Sequence, residues 1–392
     1  MKRILIYLYE DSLSPKGGPL GYNYFLKQQL DKMNVKNIRF LPGKENVRDS
    51  VSNKVKGMKN GPLKTILTIA KGLYSKYKTL YGFSHKAVVD LNDYDIVHFH
   101  STRDMYDVRD SLLEYHGSVV LTSHSPKPLS QEIYDNLTDW EKKHMNWFYK
   151  NLIKIDEYAF NRADYIFFPC EEAEEPYYNN WPEFKKIKTN RMDAFRYLLT
   201  GTKEREAQID GKEVRKKYSI PDEAFVICYV GRHNATKGYD NLRIIGEKYL
   251  DEHKDAYFLI AGKEEPLQGI SNSRWIEVGW TSDPHSLIAA SDVFILPNKE
   301  TYFDLVMLEV LSLGKIVIAS NTGGNKYFGK IDANGVWLYD NLQEAESLIE
   351  KIQKMQKGER AGVEQENIKL FEKEFSLEVF GKNYINLINS IN

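Results

Sequence analysis

The chain has 392 residues, 42% hydrophobic and 28% charged, with a formal net charge of −1 at pH 7. That length exceeds one ordinary core and predicts two domains of roughly 150–200 residues. The balanced charge excludes nucleic-acid or membrane binding driven by the net charge of the whole chain and leaves only local patches.

Cys170 and Cys228 lie in apolar runs and read as buried free thiols of a reducing compartment, not as a disulfide framework. No apolar run approaches the roughly 20 residues that span a bilayer. The apolar run after Met1-Lys2-Arg3 is too short for a signal peptide. The expected location is cytoplasmic.

In chain order, strands are expected at 3–9, 37–41, 96–100, 118–122, 165–169, 224–230, 256–261, 275–278, 292–296 and 316–320. The runs at Ile96-Val97, Val119–Leu121 and Ile316–Ala319 are nearly continuous apolar, as in parallel strands covered on both faces. Helical patterns between them imply βαβ units and an α/β fold of doubly wound sheets. The series runs twice. A charged stretch near 191–212 breaks it, which places one domain at 1–204, a second at 205–374 and a C-terminal helix within 375–392.

One stretch of the first half stands apart. Residues 51–89 hold eight lysines and no acid. Leu63, Ile66, Leu67, Ala70, Leu73 and Tyr74 fall at helical spacing, with Lys64, Lys71 and Lys78 beside them. Segment 54–83 therefore reads as a basic amphipathic helix suited to an anionic membrane surface, or as a domain helix with its lysines in water.

Two motifs in the second half carry chemistry. Val230–Gly238 (VGRHNATKG) and Glu300–Gly314 (ETYFDLVMLEVLSLG), followed by Thr322-Gly323-Gly324, each read as strand, loop and helix. Such a turn aims backbone N–H groups and a positive helix end at an anion. Arg232 and Lys237 stand five apart, so two cations can converge on a diphosphate. Glu309 is the sole charge on an apolar helix, where a carboxylate can accept from a sugar diol or answer the helix dipole. Asp304 fits a helix N-cap. His124 follows a buried strand, at the end where ligands sit in open α/β sheets. His98 and His100 share a strand face and read as satisfied core histidines rather than metal ligands. Asp93 and Asp95 precede a strand and are discounted as a metal site. No nucleic-acid motif accompanies the aromatics.

The order Gly-Arg-x4-Lys-Gly (231–238), Gly262, Val278-Gly279, Ala-Ser-Asp292, a Glu-bearing helix ending at Gly314, and Thr-Gly-Gly324 resembles the donor half of retaining glycosyltransferases of family 4 (glycosyl transferases group 1). The first half matches through Gly17-Gly18, 95–100, 122–124 and 162–164. The resemblance implies a GT-B fold: two Rossmann-like domains facing a central cleft that closes on the substrate, with the C-terminal helix crossing back to the N-terminal domain.

It also implies roles. Arg232 and Lys237 would bind the diphosphate of a UDP- or GDP-sugar and stabilise the leaving charge. Gly231 would shape their loop. Glu309 would hold the ribose, and Glu300 or Thr301 with the backbone at Phe303, Asp304 and Leu305 would contact sugar and phosphate. His124 would face the sugar, and Gly17 and Gly18 would let the first loop approach phosphate or acceptor.

The chain departs from the family pattern at Thr301, where an acid is usual with Glu300 one place early, at Asp304, where glycine is usual, and at Tyr327, where an acid follows the double glycine. The implied reaction is metal- and cofactor-independent sugar transfer with retention, to a glycan or lipid-linked acceptor, at the inner face of the membrane if 54–83 docks there. A non-catalytic partner subunit and a nucleotide-sugar epimerase are the alternatives.

Overall fold

The structure is a computed structural model describing residues 2–8, 13–15, 18–41, 67 and 84–391. The basic stretch 54–83, apart from Leu67, and Gly17 lie outside the described residues. The chain divides into two compact units: 1–168 with 177–196 and 387–392, and 169–176 with 197–386.

The first unit is built on a six-stranded sheet of order β2-β1-β3-β4-β5-β6. Its strands are β1 (Ile4–Tyr7), β2 (Ile38–Leu41), β3 (Ile96–Phe99), β4 (Ser118–Thr122), β5 (Tyr165–Phe168) and β6 (Phe195–Tyr197). Pairings from β2 through β5 are parallel. Residues 4–6 of β1, Val97 and Phe99 of β3, and residues 119–121 of β4 are fully buried, because helices cover both faces of a parallel sheet. Helix α1 (Pro19–Lys32) starts at Gly18. Helix α2 (Asn146–Arg162) buries Phe148, Leu152, Ile155, Ala159 and Phe160, spaced three, four and seven apart, as one face of a helix requires.

The second unit repeats the plan with order β12-β11-β10-β7-β8-β9, every pair parallel. Its strands are β7 (Phe225–Val230), β8 (Ala256–Ala261), β9 (Trp275–Gly279), β10 (Val293–Leu296), β11 (Ile316–Ser320) and β12 (Val336–Tyr339). The helices that bear on the site are α3 (Tyr239–Glu252), α4 (Pro284–Ala289) and α5 (Leu305–Ser312), and the last helix is α6 (Leu377–Ser390). The last residues of the chain, 387–392, belong to the first unit, where the Lys2 ammonium donates to the Ile391 carbonyl.

All ten expected strands are present, shifted by a residue or two at their ends. Two more were not expected. β6 lies inside the stretch read as a break in the pattern, and β12 is a four-residue edge strand with only its end residues buried. β6, three residues long, is too short to show a period.

Strand order locates the functional ends. In the second unit the chain steps from β7 outward to β8 and β9, then returns to β10 on the other side of β7. The loops after β7 and β10 therefore part at the carboxyl ends of neighbouring strands and leave a crevice, the place where open α/β sheets take ligands. In the first unit the same reversal falls between β1 and β3. Among the described residues, no helix is long and apolar enough to cross a membrane.

Candidate functional site

The β7 loop is shaped by its own polar groups. Gly231 donates to the Ala261 carbonyl (3.0 Å), and Tyr229 Oη donates to the Arg232 carbonyl (2.9 Å). Asn234 Oδ1 accepts from the Lys237 amide (2.9 Å), a local side-chain turn that tightens the loop. Gly238 begins α3 in the left-handed region, φ 67, and a Cβ there would lie 1.6 Å from the Pro297 carbonyl oxygen. Only glycine meets both demands. The Arg232 side chain is exposed and, among the described residues, has no hydrogen bond or ion pair.

The β10 loop lies against it, the Lys299 amide donating to the Thr236 carbonyl (3.0 Å). Lys237 Nζ donates to both oxygens of Asp304, at 2.7 and 2.9 Å, and Asn298 Nδ2 donates to Oδ2 at 2.5 Å. Asp304 occupies the N-cap position of α5, but its side chain makes no capping bond and the first turn carries no acid. The expectation of a plain N-cap is corrected: the carboxylate turns to Lys237, whose charge outcompetes a backbone amide.

Thr301 is 1% exposed and its hydroxyl has no partner among the described residues. Its carbonyl accepts from the Gly324 amide at 3.3 Å, and a Cβ on Gly323 would lie 2.1 Å from that same oxygen. The double glycine thus lets one backbone lie on another. Glu300 is partly buried and Leu305 is the first residue of α5. The Phe303 ring packs on Phe328 (centroids 5.8 Å) and Phe375 (6.1 Å), so its side chain is core and only its backbone is offered to a ligand.

Glu309 is not a lone acid. Arg205 donates to its Oε1 through Nη2 (2.6 Å) and Nε (3.1 Å), and His285 Nε2 stands 3.3 Å from Oε2. Burial raises the Glu309 pKa, but the His285 hydrogen bond and the Arg205 charge together outweigh it and hold the carboxyl below its ordinary value. Arg205 comes from the charged stretch before β7 and His285 from the start of α4. Neither carries a local signal, and sequence reading missed both along with Asn298.

In the first unit Gly18 has φ 75 and ψ −155 at the start of α1. His124 Nε2 lies 2.7 Å from His100 Nδ1, and the rings stack at 5.0 Å. Tyr22 of α1 meets His124 edge-on, with centroids 4.6 Å apart. His98 Nε2 pairs with Thr122 Oγ1 at 2.8 Å. Burial lowers His98 and His124 to about 3 and His100 well below its ordinary value, so all three are neutral at pH 7. The expectation of satisfied core histidines holds for His98, while His100 Nε2 is buried without a partner among the described residues. Among the described residues, no group of three or more His, Cys, Asp or Glu could hold a metal ion.

Residues 210–369 match the family described as Glycosyl transferases group 1. An uncharacterized glycosyltransferase of Methanocaldococcus jannaschii is 26% identical over 135 residues, 32% of this chain and 34% of that protein. The O-antigen biosynthesis glycosyltransferase WclY of Escherichia coli is 28% identical over 115 residues, 27% of this chain and 31% of that protein. These matches span about a third of the relatives' length. Among solved structures, Anabaena Alr3699/HepE in complex with UDP-glucose superposes with a TM-score of 0.64 at 14% identity, covering 100% of both chains. The chain has the GT-B fold, and its residues 210–369, which carry the crevice between β7 and β10, match the glycosyl transferases group 1 family.

Proposed function

We propose that the chain transfers a sugar from a nucleoside diphosphate sugar to an acceptor hydroxyl, with retention of the anomeric configuration. The observation that carries this reading is the convergence at one strand reversal of Arg232, Lys237 and the uncapped start of α5. All three are positive, Lys237 and the helix start being held by the fold, and each gains strength as charge develops on a departing diphosphate. In the proposed step the anomeric C–O bond to phosphate breaks and its electron pair leaves with the diphosphate. The acceptor oxygen bonds the anomeric carbon on the same face and yields its proton to a phosphate oxygen. Arg232, Lys237, Gly231 and the backbone of Phe303, Asp304 and Leu305 hold the diphosphate, while Glu309 takes a ribose hydroxyl. His124, Glu300, Gly17 and Gly18 are proposed as further contacts to the sugar or acceptor. No metal or cofactor enters this scheme.

The acceptor is proposed to be a growing glycan, lipid-linked if segment 54–83 docks on an anionic membrane. Uridine is proposed as the first base to test, the HepE neighbour being described in complex with UDP-glucose. Titration calorimetry against UDP, GDP, ADP and their common sugar conjugates, with and without chelator, tests the donor. One preferred nucleotide, unaffected by chelator, is the expected outcome. Binding by none of them overturns the reading.

A second reading, a partner subunit that binds without turnover, draws on the internal pairing of Lys237 with Asp304 and of Glu309 with Arg205. Nucleotide binding with neither sugar transfer nor donor hydrolysis would favour it.

A further inference from the structure

The loop between β10 and α5 carries an acid where the family resemblance expects glycine and lacks the acid expected three residues earlier. The structure gives this exchange a physical meaning. Position 301 is enclosed: Thr301 is 1% exposed, its hydroxyl has no partner among the described residues, and its backbone lies under Gly323 and Gly324. A carboxylate there would be buried without hydrogen-bond donors, which is costly. Position 304 opens the α5 N-terminus instead, and its carboxylate keeps partial exposure (17%) beside Lys237.

Asp304 also declines the role its position offers. A capping carboxylate satisfies amides of the first turn, yet this one makes no such bond and is held by Lys237 and Asn298. The first-turn amides are therefore left for an anion, and the acid is set next to where that anion would lie. Lys237 has three donors, two of which go to Asp304. A diphosphate arriving at α5 draws the ammonium toward itself, because phosphate offers it more negative charge, and frees carboxylate lone pairs that can accept sugar hydroxyls.

We propose that Asp304 is the donor site's sugar-reading acid, doing from position 304 what an acid at 301 cannot. This rests on the reading of the crevice as a nucleotide-sugar site. The ligand group is the hydroxyl-rich sugar of the nucleoside diphosphate sugar. Free diphosphate, with no hydroxyl to give, meets only the repulsion of a nearby like charge.

The test is the affinity of UDP and UDP-glucose, and of GDP and GDP-mannose, for the wild type, Asp304→Asn and Asp304→Gly. Asparagine keeps the shape and removes the charge. Glycine provides a second variant should asparagine not fold, with thermal melting as the check. The expected result is that either variant binds the free diphosphate as well as or better than the wild type. The extra affinity of the sugar conjugate should fall about tenfold or more, the scale of a lost hydrogen bond to a charged group. Equal weakening of both ligands would mean that Asp304 only braces Lys237. An unchanged preference for the sugar conjugate would mean that it reads nothing. Either result overturns the proposal alone. A wild type that binds none of the four ligands overturns the nucleotide-sugar reading beneath it.

Discussion

Arg205 grips one oxygen of Glu309 with two donors, at 2.6 and 3.1 Å, and His285 faces the other. A carboxylate offers about four lone-pair sites, so roughly one remains. The carboxylate is thereby kept ionised and aimed, able to take one ribose hydroxyl without rearrangement and a second only if Arg205 or His285 yields. Arg205→Met should cost about 2 kcal/mol at pH 7, since it strips a charged donor from a mostly buried acid. Glu309 is held below its ordinary value, so its contribution is complete above that value and lost as pH falls through the folded pKa. The gap between wild type and variant in urea denaturation should therefore shrink at low pH. A gap independent of pH would assign Arg205 a packing role only.

Arg232 is the cation of the crevice that spends no bond within the described protein. Arg232→Ala should leave the melting temperature within about 1 °C, as for exposed sites without special contacts. It should weaken nucleoside diphosphate binding by about tenfold or more, because charge-assisted bonds contribute about 1.5–3 kcal/mol. Replacing Lys237 by Ala as well should abolish measurable binding with the fold intact by circular dichroism. Unchanged affinity in the double variant would remove the proposed diphosphate site.

Two glycines of the second unit separate strain from clash. Gly279 has φ 75 and open space where a methyl group would stand, while Gly238 has φ 67 and the Pro297 oxygen 1.6 Å from that point. Gly279→Ala should cost about 1–2 kcal/mol, the left-handed penalty alone. Gly238→Ala should cost clearly more, about 3 kcal/mol or above, because the β7 and β10 loops must part. Thermal melts of the pair decide it. Equal costs would mean that the two loops separate easily.

Acid should strike the first unit through its histidines. His98 is fully buried with its pKa lowered to about 3, and His100, 4% exposed, also lies well below its ordinary value. A histidine depressed in the fold binds its proton only on unfolding, so its contribution is complete above its ordinary value of 6.5 and drains away as pH falls toward about 3. For His98 the cost is about 1.4 kcal/mol per pH unit in that window, and His100 acts in the same direction. Denaturant midpoints at pH 7, 6 and 5 should fall, with a shallower slope in His98→Gln. An identical slope in that variant would clear His98 of the effect.

How much was legible beforehand differs by element. Most of the ten expected strands showed because a strand covered on both faces must be apolar throughout, which is a local property. The Arg232–Lys237 loop and the α5 motif showed because glycine at a turn and a lone acid on an apolar helix are local anomalies. β6 did not show, since its three residues carry no period, and β12 lies at a sheet edge with its two middle residues only partly buried. Arg205 and His285 were missed because nothing local marks a residue whose partner lies 104 or 24 positions away.

The sequence by itself determined the α/β alternation, the two series of strands and the charged loops, because each follows from periodicity and turn chemistry within a dozen residues. The tertiary structure decided which of those charges are spent and which are free. It brought Asp304 onto Lys237, closed Thr301 beneath Gly323 and Gly324, and set Arg205 on Glu309. Those pairings depend on strand order, which places the ends of β7 and β10 side by side although Val230 and Leu296 are 66 positions apart in sequence. The Coulomb and hydrogen-bond energies that select them depend on distance in space, and one strand's pattern does not encode that distance.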